Sequence, residues 1–404
     1  MTTEQPFKID VSDAKIEHLK RKLELTDFPD ELDEAGLDYG APLADIKRLI
    51  QRWADGYDWR VHEAKLNEMP MFTRDIEVDG FGALNIHYVH QKSDTKTAIP
   101  LLFVHGWPGS IMEVQKILPL LTASSPDFPS FHVVAPSLPG FGFSEGPHKK
   151  GFHGKHYVEV LNKLMISLGY PEYVTQGGDW GHFLTRILSF AHGPKHVKAS
   201  HTNFAVAPPP TFLQAPRQYI AHLLTPYTPE ELAGLARSVE SRSMGLGYAG
   251  IQTTRPQTLG YGLADSPAGL LAWVYEKLLV WSDDYPWQDD EVLTWLSIYW
   301  FSRAGPAASL RIYYELARTG EFGGKLPVAS IPIGVSYFPK EIVLAPHTWI
   351  RATGNVVFEA RHPSGGHFAA HEKPEFLVGD VRAMFGKGGP VAGIVPGHSG
   401  YAPA

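Results

Sequence analysis

The sequence contains no cysteine, and this absence excludes several kinds of chemistry at once. Disulfide bonds, thiolate nucleophiles and cysteine-ligated zinc all require a residue that this chain lacks. A chain without cysteine also suits a reducing compartment, so we expect a cytoplasmic protein.

Long apolar runs are missing as well. No stretch approaches the roughly 18 uninterrupted apolar residues of a membrane-spanning helix. The most apolar helical segment, Leu270 to Trp281, is short and carries Glu276 and Lys277. The first ten residues, MTTEQPFKID, do not combine a basic segment with an apolar run, as a signal peptide does. We therefore expect a soluble protein with no membrane anchor.

Positive charge is not in excess. The 404 residues include 36 Lys and Arg against 43 Asp and Glu, which gives a net charge of −7. This balance argues against a nucleic-acid partner, which would require a large basic face. Hydrophobic residues make up 44% of the chain, so a mostly disordered chain is excluded, and the length allows two to three domains or one elaborated domain.

Glycine, proline and aromatic residues are abundant instead. The 39 glycines and 33 prolines predict many shaped loops, and aromatic residues reach 12%. Aromatic side chains supply apolar area, and Tyr and Trp add hydrogen-bond donors. They fit either an ordinary core or an apolar pocket with donors in it.

The order of predicted elements indicates an α/β fold with a mostly parallel sheet flanked by helices. The pattern predicts two amphipathic N-terminal helices, a hairpin and then strands alternating with helices. The predicted hairpin spans Asp75 to His90, and the predicted strands are Ile99 to Val104, His132 to Ala135, Tyr173 to Thr175, Ile331 to Phe338 and Asn355 to Phe358.

A helical block interrupts this alternation and predicts an inserted cap. We divide the chain into an N-terminal meander (1–95), a first core segment (96–207), a helical cap (208–320), and a second core segment with a C-terminal arm (321–404). The arm, from Gly386 onward, is rich in glycine and proline and is predicted to be extended or loosely ordered.

The segment Gly177-Gly178-Asp179-Trp180-Gly181 lies between a predicted strand and a predicted helix. Small residues on both sides of a central residue permit the sharp turn that exposes a nucleophile at the edge of a sheet. Asp179 would be that nucleophile, and the backbone N–H of Trp180 would face the atoms that it attacks. The same residues also fit a helix N-cap after a glycine-rich turn.

A second turn, His105-Gly106-Trp107-Pro108-Gly109, follows the buried strand that ends at Val104. It can present the N–H of Trp107 as the other half of an oxyanion hole. By contrast, Gly142-Phe143-Ser144-Glu145-Gly146 matches a serine nucleophile motif but lacks a strand before it and a helix after it. We therefore predict no nucleophile at Ser144.

Two downstream residues complete a candidate set. His367 follows two glycines on a loop past a strand, where a general base could lie. Glu341 follows the strand that ends near Tyr337 and could orient this histidine, although it also fits a solvated loop acid. His371-Glu372 is not a zinc motif because Glu375 stands where the second histidine would be. The chain order nucleophile, acid, histidine is that of α/β hydrolases.

With these motifs in place, the chain resembles the epoxide hydrolases of the microsomal type, and in particular their soluble members. The resemblance covers about residues 5 to 385 and rests on HGWPG, GGDWG, FPKE and GGHFA in this order, together with DWR and EAKLN in the meander. It implies an α/β-hydrolase fold, a detoxifying hydrolase and no metal or organic cofactor. Water and a small apolar or aromatic epoxide would be the substrates, and a homodimer is one possible assembly.

The resemblance also implies two cap tyrosines that hold the epoxide oxygen, at Tyr248 and Tyr313. Tyr314 adjoins Tyr313, and a one-residue step on a helix turns the side chain by about 100°, so only one of them can face the pocket. The implied reaction is attack by Asp179 on an epoxide carbon. Water activated by His367 and Glu341 would then hydrolyse the ester, with the N–H groups of Trp107 and Trp180 holding the oxyanion.

Two other functions remain open from the residues. A haloalkane or haloacetate dehalogenase would use the same aspartate turn, with Trp180 as a halide donor. A non-catalytic α/β hydrolase could serve as a small-molecule receptor.

Overall fold

One mixed β-sheet organises the described part of the chain, which is residues 4–322 and 328–403 of a computed structural model. Its strands are β1 (Gln5–Pro6), β2 (Met71–Val78), β3 (Gly82–Gln91), β4 (Ile99–Val104), β5 (Phe131–Pro136), β6 (Tyr173–Gly177), β7 (Val197–Thr202), β8 (Pro332–Tyr337) and β9 (Asn355–Arg361). The order across the sheet is β1-β2-β3-β5-β4-β6-β7-β8-β9. The first three strands and the β3–β5 pair are antiparallel, and all pairs from β5 to β9 are parallel. This arrangement confirms the predicted fold class.

The helices of the described residues lie between and beside these strands. They are α1 (Asp13–Glu24), α2 (Leu43–Ala54), α3 (Trp59–Leu66), α4 (Met112–Gln115), α5 (Leu118–Thr122), α6 (Gly154–Ser167), α7 (Asp179–His192), α8 (Pro216–Leu224), α9 (Pro229–Glu240), α10 (Gly247–Thr254), α11 (Pro256–Asp265), α12 (Pro267–Val280), α13 (Asp289–Trp300), α14 (Arg311–Arg318), α15 (His347–Ile350), α16 (Ala369–Glu372) and α17 (Pro374–Phe385).

The central strands β4 and β6 are buried along their whole length, as parallel strands covered on both faces should be. The continuous apolar run of β4 therefore predicted both its position and its burial. Strand β7 escaped prediction because its sequence, VKASHT, is mostly polar and has no apolar run. The edge strand β1 was missed because it is short: two residues carry no periodicity.

The segment between β7 and β8 is helical, from α8 through α14. The N-terminal region contacts it through polar groups: Arg52 of α2 donates two hydrogen bonds to Asp290, and the hydroxyl of Tyr57, between α2 and α3, lies 3.1 Å from that of Thr294. The helical content agrees with an inserted cap, whereas the four boundaries that we assigned along the chain stay a prediction.

The C-terminal tail is packed against the sheet domain, so the expectation of a loosely ordered arm is wrong. The carbonyl of Gly400 accepts from the N–H of Ser130 at 2.8 Å, and its own N–H donates to Thr97 at 2.7 Å. Val391 and Val395 are buried. Turns close this segment on itself, and apolar side chains anchor it.

Among the described residues, no helix has both the length and the apolar character needed to cross a lipid bilayer.

The turn between β6 and α7 brings two stretches of backbone unusually close together. Asp179 has a φ of 48°, in the left-handed region that side-chain-bearing residues rarely occupy. In the first turn of the following helix, a Cβ at Gly181 would overlap the carbonyl oxygen of Val104 at the end of β4. The helix can therefore approach the sheet this closely only with glycine at position 181.

This contact predicts that two Gly→Ala substitutions in helices will have opposite effects. Gly181→Ala should lower the free energy of unfolding by about 1–3 kcal/mol because the backbone of β4 must shift. Gly262→Ala, in α11 with nothing within 4 Å of the new Cβ, should raise it by up to about 1 kcal/mol. Urea unfolding of both variants measures the difference. Equal effects would show that position 181 is not constrained by β4.

Candidate active site

The carboxylate of Asp179 leaves the tight turn at the carboxyl end of β6 and meets the turn that follows β4. Its Oδ1 accepts a hydrogen bond from the backbone N–H of Trp107 at 2.8 Å. A Cβ at Gly106 would overlap this carboxylate, so the glycine allows the two turns to meet. The structure thus brings together two motifs that lie more than 70 residues apart in the sequence.

His367 lies on the other side of Asp179, on the loop after β9. Its Nε2 is 3.5 Å from Asp179 Oδ2, and its Nδ1 is 2.5 Å from Glu341 Oε1. Glu341 is completely buried, and the same Oε1 also accepts from the N–H of Ile342 at 2.7 Å. A solvated loop acid at position 341 is therefore excluded, and the carboxylate is placed to orient the imidazole.

The two carboxylates govern the charge of this histidine. Burial disfavours the imidazolium, but the charge of Glu341 and the hydrogen bonds to Asp179 and Glu341 outweigh burial and hold the pKa of His367 well above its ordinary value. In the free protein the cationic imidazole is thus sandwiched between two acids. Removal of either negative charge would lower its pKa.

Tyr248 and Tyr313 reach the same place from α10 and α14. The ring of Tyr248 stacks on Trp107 at 5.2 Å, and the ring of Tyr313 meets the edge of Trp180 at 4.7 Å. Their own centroids are 5.8 Å apart. The neighbouring Tyr314 is partly exposed and lies against Arg318, so Tyr313 is the one that faces inward.

Both phenols are held neutral. Burial, reinforced by the charge of Asp179, raises the pKa of Tyr248 and of Tyr313 above the ordinary value. The Tyr313 hydroxyl faces the Tyr248 hydroxyl and the Trp180 indole N–H without a hydrogen bond of standard length to either. Two neutral O–H donors beside a carboxylate can bind an oxygen atom and then protonate it.

The structure also places Trp180, the second predicted oxyanion donor, and Ser144, the serine that we did not predict to be a nucleophile. Trp180 follows Asp179 in the first turn of α7, where backbone N–H groups have no partner within the helix, and its role in an oxyanion hole stays a prediction. Ser144 is fully buried, and its hydroxyl donates to the Ser137 carbonyl at 2.6 Å. That hydroxyl serves the fold of the loop.

The sequence did not indicate that the helical segment holds the histidine loop in place. The N–H of His367 donates to the carbonyl of Trp281 at 2.8 Å, and the N–H of Gly365 donates to Asp283 Oδ2 at 2.7 Å. Glu372 accepts from the N–H groups of Phe368 and Asp283 at 3.0 and 2.8 Å. Apart from the local bond between Phe368 and Glu372, these contacts join groups more than 80 residues apart, so no local pattern could have predicted them.

Glu113 is a second feature that the sequence did not reveal. A Cβ at Gly109 would overlap the Glu113 carboxylate. Gly109 ends the turn after β4, and Gly106 of the same turn lies against Asp179. Burial raises the pKa of Glu113 to about 7, and the charge of His367 partly opposes this shift. Burial likewise raises the pKa of Glu372 to about 7. The histidine is therefore surrounded by four acids, two of them with raised pKa values.

These features define a class of protein. An aspartate on a sharp strand-to-helix turn, an acid after β8 and a histidine after β9, all at the carboxyl edge of a mostly parallel sheet, have the arrangement in which α/β hydrolases place a nucleophile, an acid and a base. The family models agree. Residues 4–114 match the model described as "Epoxide hydrolase N terminus", and residues 99–256 match that of the alpha/beta hydrolase fold.

Known proteins match over nearly the whole chain. Epoxide hydrolase 1 of Sus scrofa is 34% identical over 410 residues, which cover 95% of this chain and 88% of that protein. The structure of Aspergillus niger epoxide hydrolase superposes with a TM-score of 0.82 at 34% identity, covering 95% and 96% of the two chains. Juvenile hormone epoxide hydrolase from Bombyx mori gives 0.83 at 30% identity, covering 94% and 93%. The chain belongs to the epoxide hydrolase family.

The raised pKa of Glu113 predicts a specific pH dependence of stability. The folded protein keeps this proton up to about pH 7, whereas the unfolded chain loses it near the ordinary value of 4.5, so the folded state binds more protons in that window. Stability therefore falls as the pH rises through it, and Glu113→Gln should flatten the fall by up to about 1.4 kcal/mol per pH unit, the slope of one proton.

Urea midpoints at pH 5, 6 and 7 measure this slope. Glu24→Gln, at the exposed end of α1, is the matched control and should leave the slope unchanged. A Glu113→Gln variant with the wild-type slope would contradict the assignment.

Proposed function

We propose that this protein converts epoxides to vicinal diols through a covalent ester on Asp179. One observation carries the proposal. The two oxygens of the Asp179 carboxylate have different surroundings, since Oδ1 accepts from the Trp107 N–H and Oδ2 lies 3.5 Å from His367 Nε2. Two buried, neutral tyrosines, Tyr248 and Tyr313, lie close enough for the charge of this carboxylate to raise their pKa values.

The first step opens the epoxide. Asp179 Oδ2 forms a bond to the less hindered ring carbon, and the carbon–oxygen bond of the epoxide breaks, leaving the electron pair on oxygen. Tyr248 and Tyr313 donate hydrogen bonds to this oxygen, and a proton moves to it from one phenol. Ring strain drives the step, so the leaving oxygen needs no further activation.

The second step hydrolyses the ester. His367 Nε2 takes a proton from water, and the hydroxide adds to Cγ of Asp179. Negative charge develops on Oδ1, where the N–H of Trp107 already donates and that of Trp180 adds a second donor. The tetrahedral intermediate expels the diol oxygen, which takes the proton from His367. The carboxylic acid left at Asp179 then gives its proton to His367 Nε2, so the carboxylate and the imidazolium are both restored.

The charges around His367 set the order of these steps. While Asp179 is ionised, the imidazole holds a proton and cannot act as a base. Ester formation removes that negative charge, so the pKa of His367 falls and a neutral base becomes available. The proton that His367 releases balances the proton that the phenol gave to the epoxide oxygen.

The surroundings of Asp179 support a small apolar or aromatic substrate. Trp107, Trp180 and Trp281 are almost fully buried and contact the tyrosine pair through their rings.

We place the protein in the cytoplasm because the chain has no cysteine to form a disulfide. A homodimer stays a prediction that the molecular mass in solution tests.

The two alternatives are less well supported. A dehalogenase would use the indole N–H of Trp180 as a halide donor, but it would have no use for two neutral tyrosines at the nucleophile. A receptor without catalysis would not require the short contact between His367 and a buried acid. Epoxide turnover without chloroalkane turnover, measured side by side, separates these functions.

Replacing the base should trap the intermediate. In His367→Gln, Asp179 can still attack, but the ester is not hydrolysed, so the intact protein should gain the mass of one epoxide molecule. Asp179→Ala should show no added mass and lose turnover by about 10⁴-fold or more. Mass spectrometry after incubation with styrene oxide measures both results.

His18→Gln, an exposed histidine on α1, is the control and should turn over like the wild type. Wild-type turnover in His367→Gln would show that the base is assigned wrongly. A mass increase in Asp179→Ala would show the same for the nucleophile.

A further inference from the structure

Lys277 is a buried cation next to the proposed active site. It lies in α12, and only 4% of its side chain is exposed. Its Nζ is 2.7 Å from a carboxylate oxygen of Glu276, whose side chain is 27% exposed. A buried ammonium is unfavourable unless it is compensated, and this ion pair reaches outward toward the surface.

The other neighbours of the ammonium are aromatic rings. Nζ lies 4.6 Å from the ring centroid of Tyr248 and 5.7 Å from that of Trp281. Both distances are within the range of cation–π contacts, which strengthen where water is excluded. Lys277 therefore stands over the face of a phenol that is proposed to bind the epoxide oxygen.

The first step of the proposed reaction builds negative charge on this phenol. Tyr248 is buried, and the charges of Asp179, Glu276 and Glu341 oppose its ionisation. Its described ring neighbours are the aromatic groups of Trp107, Trp281 and Tyr313, none of which carries a positive charge. Among the described residues, the cation–π contact of this ring is with the Lys277 ammonium, and Coulomb attraction at this distance is substantial inside a protein.

We propose that Lys277 is a positioning residue for epoxide opening, which stabilises the negative charge that develops on Tyr248 when its hydroxyl donates to the substrate oxygen. The inference rests on the proposed function and extends it. The second step places its charge on Asp179 Oδ1 instead. Lys277 should therefore affect formation of the ester and not its hydrolysis.

The two steps can be measured separately with styrene oxide. Rapid quenching followed by intact-protein mass spectrometry gives the rate at which the ester appears and the rate at which it decays. Lys277→Met should slow ester formation by about tenfold and leave ester decay within twofold of the wild type. Lys277→Arg, which keeps a cation over the ring, should recover most of the lost rate.

A double-mutant cycle tests whether the effect passes through Tyr248. In a Tyr248→Phe background the phenol is gone, so Lys277→Met should change ester formation by less than twofold. Lys47, on the N-terminal helix α2, is a matched control because its ammonium also lies over an aromatic ring, 5.6 Å from the ring centroid of Phe28. Lys47→Met should leave both rates unchanged.

Several results would overturn the inference. Equal slowing of both steps would indicate a merely structural role, and a full effect in the Tyr248→Phe background would show that Lys277 acts elsewhere. If Lys277→Met does not fold, Lys277→Gln, which is neutral but can still donate to Glu276, replaces it with the same expected rates. A wild-type protein that forms neither ester nor diol would overturn the proposed function itself, whereas an active wild type with an unaffected Lys277→Met would overturn this inference alone.

Discussion

The close approach of α7 to the end of β4 is the constraint on which the rest of the site depends. Glycine at position 181 allows the helix to touch the strand, and Asp179 takes a left-handed conformation so that its carboxylate projects from the turn. Because the turn after β4 lies beside it, the Trp107 N–H meets Oδ1. A carboxylate fixed in this way is ready both to attack and to have its charge stabilised afterwards.

The second organising feature is the balance of charge at His367. The imidazole contacts two acids at 2.5 and 3.5 Å and has two more with raised pKa values nearby. Such a cluster favours a protonated histidine until the nucleophile loses its charge. In the proposed mechanism, the first chemical step therefore produces the neutral base. We propose a corresponding part for the cation Lys277, which would stabilise the negative charge on Tyr248.

Much of this arrangement could be predicted from the sequence because it depends on local rules. A buried strand reads as an apolar run, and a sharp turn needs small residues, so β4 and the positions of Asp179 and Trp107 followed from short segments. Strand β7 did not, because its burial comes from its neighbours and its residues are polar. Glu113, Glu372 and Lys277 were also hidden, since their roles depend on distances between remote segments. The C-terminal arm was misjudged because glycine and proline signal turns but do not show whether those turns pack.

The origin of the oxygen atoms in the first turnover tests the ester mechanism most directly. A single turnover with excess enzyme in ¹⁸O-labelled water should yield an unlabelled diol, because one oxygen comes from the epoxide and the other from Asp179. The label should appear in the peptide that contains Asp179, since water adds to Cγ. A diol labelled in the first turnover, with an unlabelled Asp179 peptide, would mean that water attacks the epoxide directly and would contradict the account.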